Sequence, residues 1–315
     1  MKADDVRRVT VVGAGLMGHG IAVQLALRGV DVRLNDVSDE SLERAIQNAG
    51  VVLETLHGLG LASEDDVRDV PGRIKTDVSL QRSVEDADLV IEAVFEDLVL
   101  KQSVFAELDR FCPPRTVLAS NTSSFMASQL APSTARPDKV VVANWWNPPY
   151  LLPLVEVVKG PETSDESISV LAGFLERIGK RPVVLQKESL GFIGNRMQFA
   201  LLREAIAIVE QGIASPEDVD AVVKTSFGRR LAVAGPFEVF DLAGWDTVRA
   251  IIETLFPVMD SSTKVPNTIE NMVQRGDLGL KSGKGFYPWT DEAAASLRGR
   301  VSEALATIER LSQGG

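Results

Sequence analysis

The chain has 315 residues, of which 45% are hydrophobic and 24% charged, and its formal net charge is −11. This length is enough for two domains with their own cores, and the composition is that of an ordinary globular protein. The negative charge argues against nucleic acid as a partner, because phosphate binding needs a cationic surface.

The N-terminal residues and the cysteine count indicate a cellular location. No apolar run approaches the ~20 residues of a membrane span, and Met1 leads into charged residues rather than a signal peptide. The single cysteine, Cys112, excludes an internal disulfide and fits a reducing compartment. We therefore expect a cytoplasmic protein that does not contact a membrane.

Short β-rich runs alternate with helical patterns through the first half of the chain. Helical spacing is found at 19–29 and 38–56, the second behind a capping signal. Strands are predicted at 9–12, 30–35, 88–94, 116–120, 139–143, 154–158 and 182–185. Because strands that alternate with helices form crossover units, we predict a Rossmann-like, doubly wound and mostly parallel sheet.

The β signal ends near residue 188, and helical patterns follow. One long helix is predicted to end at Gly212, and another begins with Ser215 as its cap and Pro216 at its first position. We therefore predict an α/β domain over residues 1–187 and an all-helical domain over 188–315. No metal site is predicted.

A dinucleotide fingerprint lies between the first strand and the first helix. Gly13 permits a tight turn, Gly15 lets the backbone approach a pyrophosphate, and Gly18 allows the helix to pack closely on the strand. Asp36, after the second strand, is placed to bind an adenosine ribose and would repel a 2′-phosphate, which favours NAD over NADP. The alternative is a nucleotide-like fold that binds nothing. The predicted residues of this cofactor site are Gly13, Gly15, Leu16, Met17, Gly18 and Asp36.

Several further segments occur together with this fingerprint. They are VIEAVFEDLVLKQSVF, SNTSS, NWWNPPYLLPLVEVV, GFIGNR, GPFEVFDLAGWD and LKSGKGFY. In order and spacing they resemble the 3-hydroxyacyl-CoA dehydrogenase family, from about residue 7 to residue 288. The NPPYLLPLVEV form is most similar to single-function members, which include 3-hydroxybutyryl-CoA dehydrogenases, lambda-crystallin/gulonate dehydrogenases, carnitine dehydrogenases and a pyridoxine-catabolic dehydrogenase.

The resemblance implies roles for residues outside the fingerprint. Glu96 and Lys101 match positions that contact the nicotinamide ribose, although Lys101 also fits a solvated helix lysine. Ser123 matches a contact to the substrate oxygen. Asn195 matches a substrate contact from the helical domain, although it also fits a helix cap or bridge.

The catalytic pair of the family maps onto the stretch around the NPP turn. Glu156 matches the buried carboxylate that orients the catalytic histidine, and Asn147 matches an asparagine that holds the pair in place. Family members have histidine where this chain has Asn144, and asparagine cannot take a proton at neutral pH. The two histidines of the chain, His19 and His57, are not placed by sequence to replace it.

Three interpretations of Asn144 stay open. The first is a His→Asn substitution introduced to trap a complex. In the second, Asn144 and Ser123 donate hydrogen bonds to a carbonyl oxygen, while Glu156 handles the proton directly or through water. The third is a redox-silent NAD-binding protein. The other predicted site residues are retained, which favours an NAD-dependent dehydrogenase that acts on a C–OH group.

The sequence leaves the substrate open among a short 3-hydroxyacyl-CoA, a small 3-hydroxy acid, and an aromatic alcohol or aldehyde. Trp145 and Trp146 replace smaller aromatic residues, and they either pack or narrow the pocket. Cations for coenzyme A phosphates are available in the helical domain at Lys224, Arg229 and Arg230, but nothing marks them. The resemblance also implies a homodimer formed by the apolar helices, with the substrate cleft between the domains.

Overall fold

The computed structural model describes residues 1–313. The chain divides into two compact units, Met1–Ile193 and Gly194–Gly315. Residue 187, where we placed the domain boundary, lies in the segment between the last strand and the first helix of the second unit. The boundary at that residue stays a prediction.

One eight-stranded sheet forms the first unit, in the order β3-β2-β1-β4-β5-β6-β7-β8. The strands are β1 (Arg8–Val12), β2 (Asp31–Asn35), β3 (Ile74–Asp77), β4 (Leu89–Glu92), β5 (Val117–Ser120), β6 (Val140–Trp145), β7 (Leu154–Val158) and β8 (Arg181–Leu185). The predicted mostly parallel, doubly wound sheet is confirmed, since β1 to β6 all pair in parallel.

Seven α-helices belong to the first unit: α1 (Leu16–Leu27), α2 (Asp39–Gly58), α3 (Glu64–Arg73), α4 (Leu80–Val84), α5 (Leu98–Phe111), α6 (Ala127–Leu130) and α7 (Asp165–Arg177). Seven more lie in the described part of the second unit: α8 (Gly194–Glu210), α9 (Pro216–Thr225), α10 (Phe227–Leu231), α11 (Pro236–Ala243), α12 (Trp245–Leu255), α13 (Asn267–Arg275) and α14 (Asp291–Gln313). Short 3₁₀ turns occur at Ala3–Asp5, Ala131–Ser133, Pro137–Lys139 and Leu280–Ser282.

Side-chain caps begin many of these helices. Ser38 accepts a hydrogen bond from the Ser41 amide at the start of α2, and Asp97 accepts one from the Leu100 amide at the start of α5. Ser215, predicted as a cap, accepts from the Asp218 amide at the start of α9. These bonds satisfy amides that a helix cannot pair internally.

The strand order reverses direction between β1 and β4, which makes a topological switch point. In open α/β sheets, ligands bind outside the carboxyl ends of the strands at such a point. The loops after β1, β2, β4, β5 and β6 all lie at this edge because these strands are parallel. Strand β7 runs antiparallel to β6 and pairs Asn144 directly with Glu156.

The two units differ in how much apolar surface they bury. Strands β4, β5 and β6 are buried throughout. In the described part of the second unit the buried hydrophobic residues are Ile206, Ala207, Val248, Ala294 and Ala306. Many larger side chains there are exposed, including Phe199 at 60%, Phe237 at 75% and Phe256 at 64%. No helix within residues 1–313 is long and apolar enough to cross a membrane.

Candidate active site

The glycine-rich turn after β1 has the geometry that its sequence predicts. Gly13 has a φ of +101°, which side-chain-bearing residues rarely adopt, and its amide donates to the Asn35 carbonyl at 2.8 Å. A Cβ at Gly18 would lie 1.8 Å from the Gly13 carbonyl oxygen, so α1 packs directly on the turn. A Cβ at Gly15 would meet nothing within 4 Å. The turn is therefore tight on one side and open on the other.

The open side carries the features of an anion site. No residue of the described chain accepts a backbone hydrogen bond from the amides of Leu16 or Met17, the first two positions of α1. Asp36 lies beside them, and its Oδ2 accepts from the Ala14 amide at 2.8 Å. Free helix amides, space above Gly15 and a fixed carboxylate fit the pyrophosphate and ribose of NAD.

A second cluster lies where β4 and β5 end. Glu96 Oε1 accepts hydrogen bonds from the Thr122 hydroxyl at 2.5 Å, the Ser124 amide at 3.0 Å and the Ser123 amide at 3.2 Å. Burial alone would raise the pKa of Glu96, but these hydrogen bonds and the charge of Lys101 lower it below its ordinary value. Glu96 is therefore ionised at neutral pH.

Lys101 is fully buried, so the alternative of a solvated helix lysine is wrong. Its Nζ lies 2.8 Å from Glu92 Oε1, 3.2 Å from Glu96 Oε2 and 3.4 Å from the Val94 carbonyl oxygen. Three protons of an ammonium thus have three acceptors. Glu92 was not among the predicted residues, because in sequence it is only the last residue of a buried strand.

The predicted catalytic pair is formed across β6 and β7. Asn144 Nδ2 donates to Glu156 Oε2 at 2.9 Å. Both residues are buried, with 5% and 1% of their surface exposed. Since an ionised carboxylate only accepts hydrogen bonds, the amide of Asn144 is oriented with its nitrogen toward Glu156 and its oxygen away from it.

Glu156 also accepts from two donors that sequence reasoning missed. The Trp146 indole Nε1 donates to the same Oε2 at 3.1 Å, and the Ile193 amide donates to Oε1 at 2.9 Å. Asn147, predicted to hold the pair, has an exposed side chain, and no described hydrogen bond joins it to Asn144 or Glu156. Its role stays a prediction, and the observed contact comes from Trp146.

The two tryptophans have different environments. Trp145 is 3% exposed, its amide donates to Asn121 Oδ1 at 2.9 Å, and its ring lies 5.4 Å from Lys180 Nζ. Its own Nε1 is buried without a partner. Trp145 therefore packs, as expected for at least one of the pair, while Trp146 is half-buried and bonds to Glu156.

The remaining predicted residues are dispersed. Ser123 is exposed in the loop after β5, next to Glu96. Asn195 lies in the first turn of α8, in the second unit. His19 contacts the Gly15 carbonyl oxygen at 2.8 Å, and His57 contacts that of Ala62 at 3.1 Å. Within residues 1–313, no cluster of His, Cys, Asp and Glu could hold a metal ion.

Two family models cover most of the chain. The model of the 3-hydroxyacyl-CoA dehydrogenase NAD-binding domain matches residues 8–189, and that of the C-terminal domain matches residues 191–289. Helix α14 begins after the second match ends.

Individual relatives fall into two groups. The 5-formyl-3-hydroxy-2-methylpyridine 4-carboxylate 5-dehydrogenase of Mesorhizobium japonicum is 31% identical, with 98% of this chain and 99% of that protein covered. A probable 3-hydroxybutyryl-CoA dehydrogenase of Bacillus subtilis is 36% identical, with 92% and 100% covered.

Two solved structures are of the same kinds as these relatives. A crystal structure of the pyridine carboxylate 5-dehydrogenase, described as an NAD⁺-dependent dismutase, has a TM-score of 0.91 at 31% identity, with 98% of this chain and 99% of that one covered. The (S)-3-hydroxybutyryl-CoA dehydrogenase of Ralstonia eutropha has a TM-score of 0.75 at 32% identity, with 91% and 100% covered.

The family model of an NAD-binding domain over residues 8–189 agrees with the dinucleotide fingerprint of the first unit. The chain belongs to the 3-hydroxyacyl-CoA dehydrogenase family, whose members are NAD-dependent oxidoreductases that act on a CH–OH group.

Proposed function

We propose that this chain transfers a hydride between a CH–OH carbon of a small molecule and NAD at the carboxyl edge of its sheet. The observation that carries this proposal is the Asn144–Glu156 pair at the end of β6. Strand β6 pairs with β5, so the Asn144–Glu156 pair lies at the same sheet edge as the loop after β5. That loop contains Ser123, whose amide donates to Glu96. In this proposal the reacting carbon and the nicotinamide meet between the end of β6 and the loop after β5.

Each residue of the cofactor end has a distinct role in this proposal. The amides of Gly15, Leu16 and Met17 bind the pyrophosphate, Gly13 and Gly18 shape the turn, and Asp36 binds the adenosine ribose. Glu96 contacts the nicotinamide ribose and Lys101 fixes Glu96. When bound, NAD supplies the hydride acceptor.

Asn144 accepts a hydrogen bond from the substrate hydroxyl. Because its Nδ2 is committed to Glu156, its Oδ1 is the acceptor that faces away from the carboxylate. Ser123 and Asn147 contribute the remaining substrate contacts from the first unit, and the role of Asn195 stays a prediction. An amide oxygen positions a hydroxyl but cannot remove its proton at neutral pH.

Glu156 acts as an anchor rather than as the proton acceptor. It is 1% exposed, and both of its oxygens already accept hydrogen bonds. Losing its charge would weaken all three of these hydrogen bonds inside a buried site, which is costly. The proton therefore leaves to water or to a basic group of the substrate itself, in contrast to a route through Glu156.

The substrate that we favour is a small molecule without coenzyme A, either an aromatic alcohol or aldehyde or a small hydroxy acid. Two observations support it. The solved structure of the pyridine carboxylate 5-dehydrogenase has a TM-score of 0.91 with this chain, against 0.75 for the Ralstonia eutropha 3-hydroxybutyryl-CoA dehydrogenase. Trp146 also offers a planar face beside Glu156. The substrate in that relative's name carries a carboxylate next to its formyl group, and such a group can accept a proton.

A substrate panel tests the proposal. NADH formation or consumption is followed with pyridine aldehyde and alcohol carboxylates and, separately, with 3-hydroxybutyryl-CoA and acetoacetyl-CoA. We expect turnover with the first group. Turnover with the coenzyme A esters alone would replace our substrate with the second candidate, a short 3-hydroxyacyl-CoA, which the 36% identity to the Bacillus subtilis protein supports.

The helical unit is proposed to form a homodimer in the cytoplasm. Large exposed apolar side chains such as Phe199, Phe237 and Phe256 support it, because a second copy packed on them would remove them from water. Gel filtration with light scattering is expected to give twice the mass of 34.1 kDa. A stable monomer at micromolar concentration would contradict the dimer.

A further inference from the structure

Glu92 is a buried carboxylate at the carboxyl end of β4 to which neither the sequence nor the proposed mechanism assigns a role. Its side chain is fully buried. Oε1 accepts from Lys101 Nζ at 2.8 Å and from the Val94 amide at 2.7 Å, and Oε2 accepts from the Ser120 hydroxyl at 2.5 Å. It therefore joins β4, β5 and α5 through one group.

Lys101 is the group that needs Glu92. A buried ammonium is costly without a counter-charge, and the other carboxylate it contacts, Glu96, has a side chain that is 37% exposed. Glu92 is the fully buried partner at the shorter distance, 2.8 Å against 3.2 Å. Glu92 thus sets where the ammonium lies, and the ammonium sets where one oxygen of Glu96 lies.

Glu96 is the solvent-facing end of this chain of contacts. Lys101 holds its Oε2, while Thr122, Ser123 and Ser124 hold its Oε1. With both oxygens fixed, the carboxylate has one orientation. We propose that Glu92 is a positioning residue for the nicotinamide half of the cofactor site, acting through Lys101 on Glu96. This inference rests on the proposed contact of Glu96 with the nicotinamide ribose.

The first test compares two ligands that differ in the nicotinamide half. NADH and ADP are titrated against the full chain and against Glu92→Gln by calorimetry. Glu92→Gln is expected to weaken NADH binding by about tenfold, the effect of one impaired hydrogen bond to a charged group. ADP lacks the nicotinamide ribose, so its dissociation constant should change by less than about twofold. Equal weakening of both ligands would mean a structural role only and would overturn the proposal.

A double-mutant cycle tests the route through Glu96. If Glu92 acts through Glu96, Glu92→Gln should have no further effect on NADH binding in the Glu96→Gln background. Unchanged NADH binding in Glu96→Gln itself would refute the proposed role of Glu96, and the inference with it. Weaker binding in Glu96→Gln together with unchanged binding in Glu92→Gln would refute the inference alone.

Two further variants separate positioning from folding. Asp88 precedes β4 at its opposite end, is also buried, and accepts from the Arg7 and Arg8 amides and from Arg115. Asp88→Asn removes a comparable buried charge and should leave the ratio of NADH to ADP affinity unchanged. If Glu92→Gln does not fold, the pair Glu92→Gln/Lys101→Met leaves no unpaired ammonium. This double variant should again weaken NADH binding more than ADP binding. A normal NADH affinity in the double variant would overturn the proposal.

Discussion

The cofactor end of the candidate site, the turn after β1, and its catalytic end, the Asn144–Glu156 pair, depend on different parts of the chain. The cofactor end depends on backbone geometry: Gly13 at a positive φ and Gly18 against the Gly13 carbonyl leave few alternatives to glycine. The catalytic end depends on single side chains: Asn144, where the resemblance predicts histidine, and Trp146 both donate to the same oxygen of Glu156. The scaffold can therefore keep cofactor binding while its acid–base chemistry changes.

The largest expected effect is a gain at the catalytic end. Asn144→His introduces an imidazole beside Glu156, and turnover should rise by at least about tenfold, within the ~10²–10⁴-fold that general acid–base catalysis provides. The NAD dissociation constant serves as the control and should stay within about twofold, because the cofactor end is unaltered. An unchanged rate in steady-state assays would show that an imidazole at this position takes no part in the reaction.

Two glycine substitutions at the cofactor end should separate an effect on stability from an effect on NAD binding. Gly18→Ala places a methyl group 1.8 Å from a backbone oxygen, so the free energy of unfolding should fall by about 3 kcal/mol or more. Gly15→Ala meets no protein atom within 4 Å, so stability should hold while NAD affinity falls by about tenfold. Denaturant unfolding and calorimetry measure the two quantities. Full NAD affinity in Gly15→Ala would show that the pyrophosphate does not bind at this turn.

Trp146→Phe should produce a moderate loss at the catalytic end. It removes one donor from the buried Glu156 Oε2, which is expected to cost about 1.5–3 kcal/mol of stability and to lower turnover several-fold. The matched control is the same substitution in the Glu156→Gln background, where the loss should shrink because the acceptor is no longer charged. Equal losses in both backgrounds, measured by urea unfolding, would mean that Trp146 acts only by packing.

The smallest expected effect is the pH dependence of the contribution that Glu96 makes to folding stability. Because its folded pKa lies below the ordinary value of 4.5, ionised Glu96 stabilises the fold fully above that value and loses this contribution as the pH falls through the folded pKa. The stability difference between the chain and Glu96→Gln should therefore be constant from pH 8 to about pH 5. A difference that already declines between pH 7 and pH 6 would be contrary to the lowered pKa.

The fold was predictable where hydrophobic runs are strong. All seven predicted strands are present, and the helix cap at Ser215 is formed. Strand β3 was missed because Ile74–Asp77 is short and largely exposed, with only Ile74 buried, so it lacks an apolar run. The antiparallel direction of β7 was not predicted either, although the short connection over residues 146–153 excludes a crossover helix.

The site was predictable as far as residue spacing goes. The glycines, Asp36 and Glu96 lie at one edge of the sheet, and Asn144 pairs with Glu156 as the family resemblance implied. The contacts of Glu92 and Trp146 were not predictable, because a strand glutamate and a loop tryptophan carry no spacing signal. Their partners become neighbours only through strand pairing and the packing of α5.

The central claim is that this chain is a dehydrogenase that works without an imidazole at position 144. It is tested most directly by single-turnover formation of NADH, with enzyme in excess over a pyridine alcohol carboxylate or 3-hydroxybutyryl-CoA in the presence of NAD⁺. We predict slow but stoichiometric NADH formation by the unaltered chain and faster formation by Asn144→His. NAD⁺ binding without any NADH from either protein would contradict the claim and would identify a redox-silent NAD-binding protein.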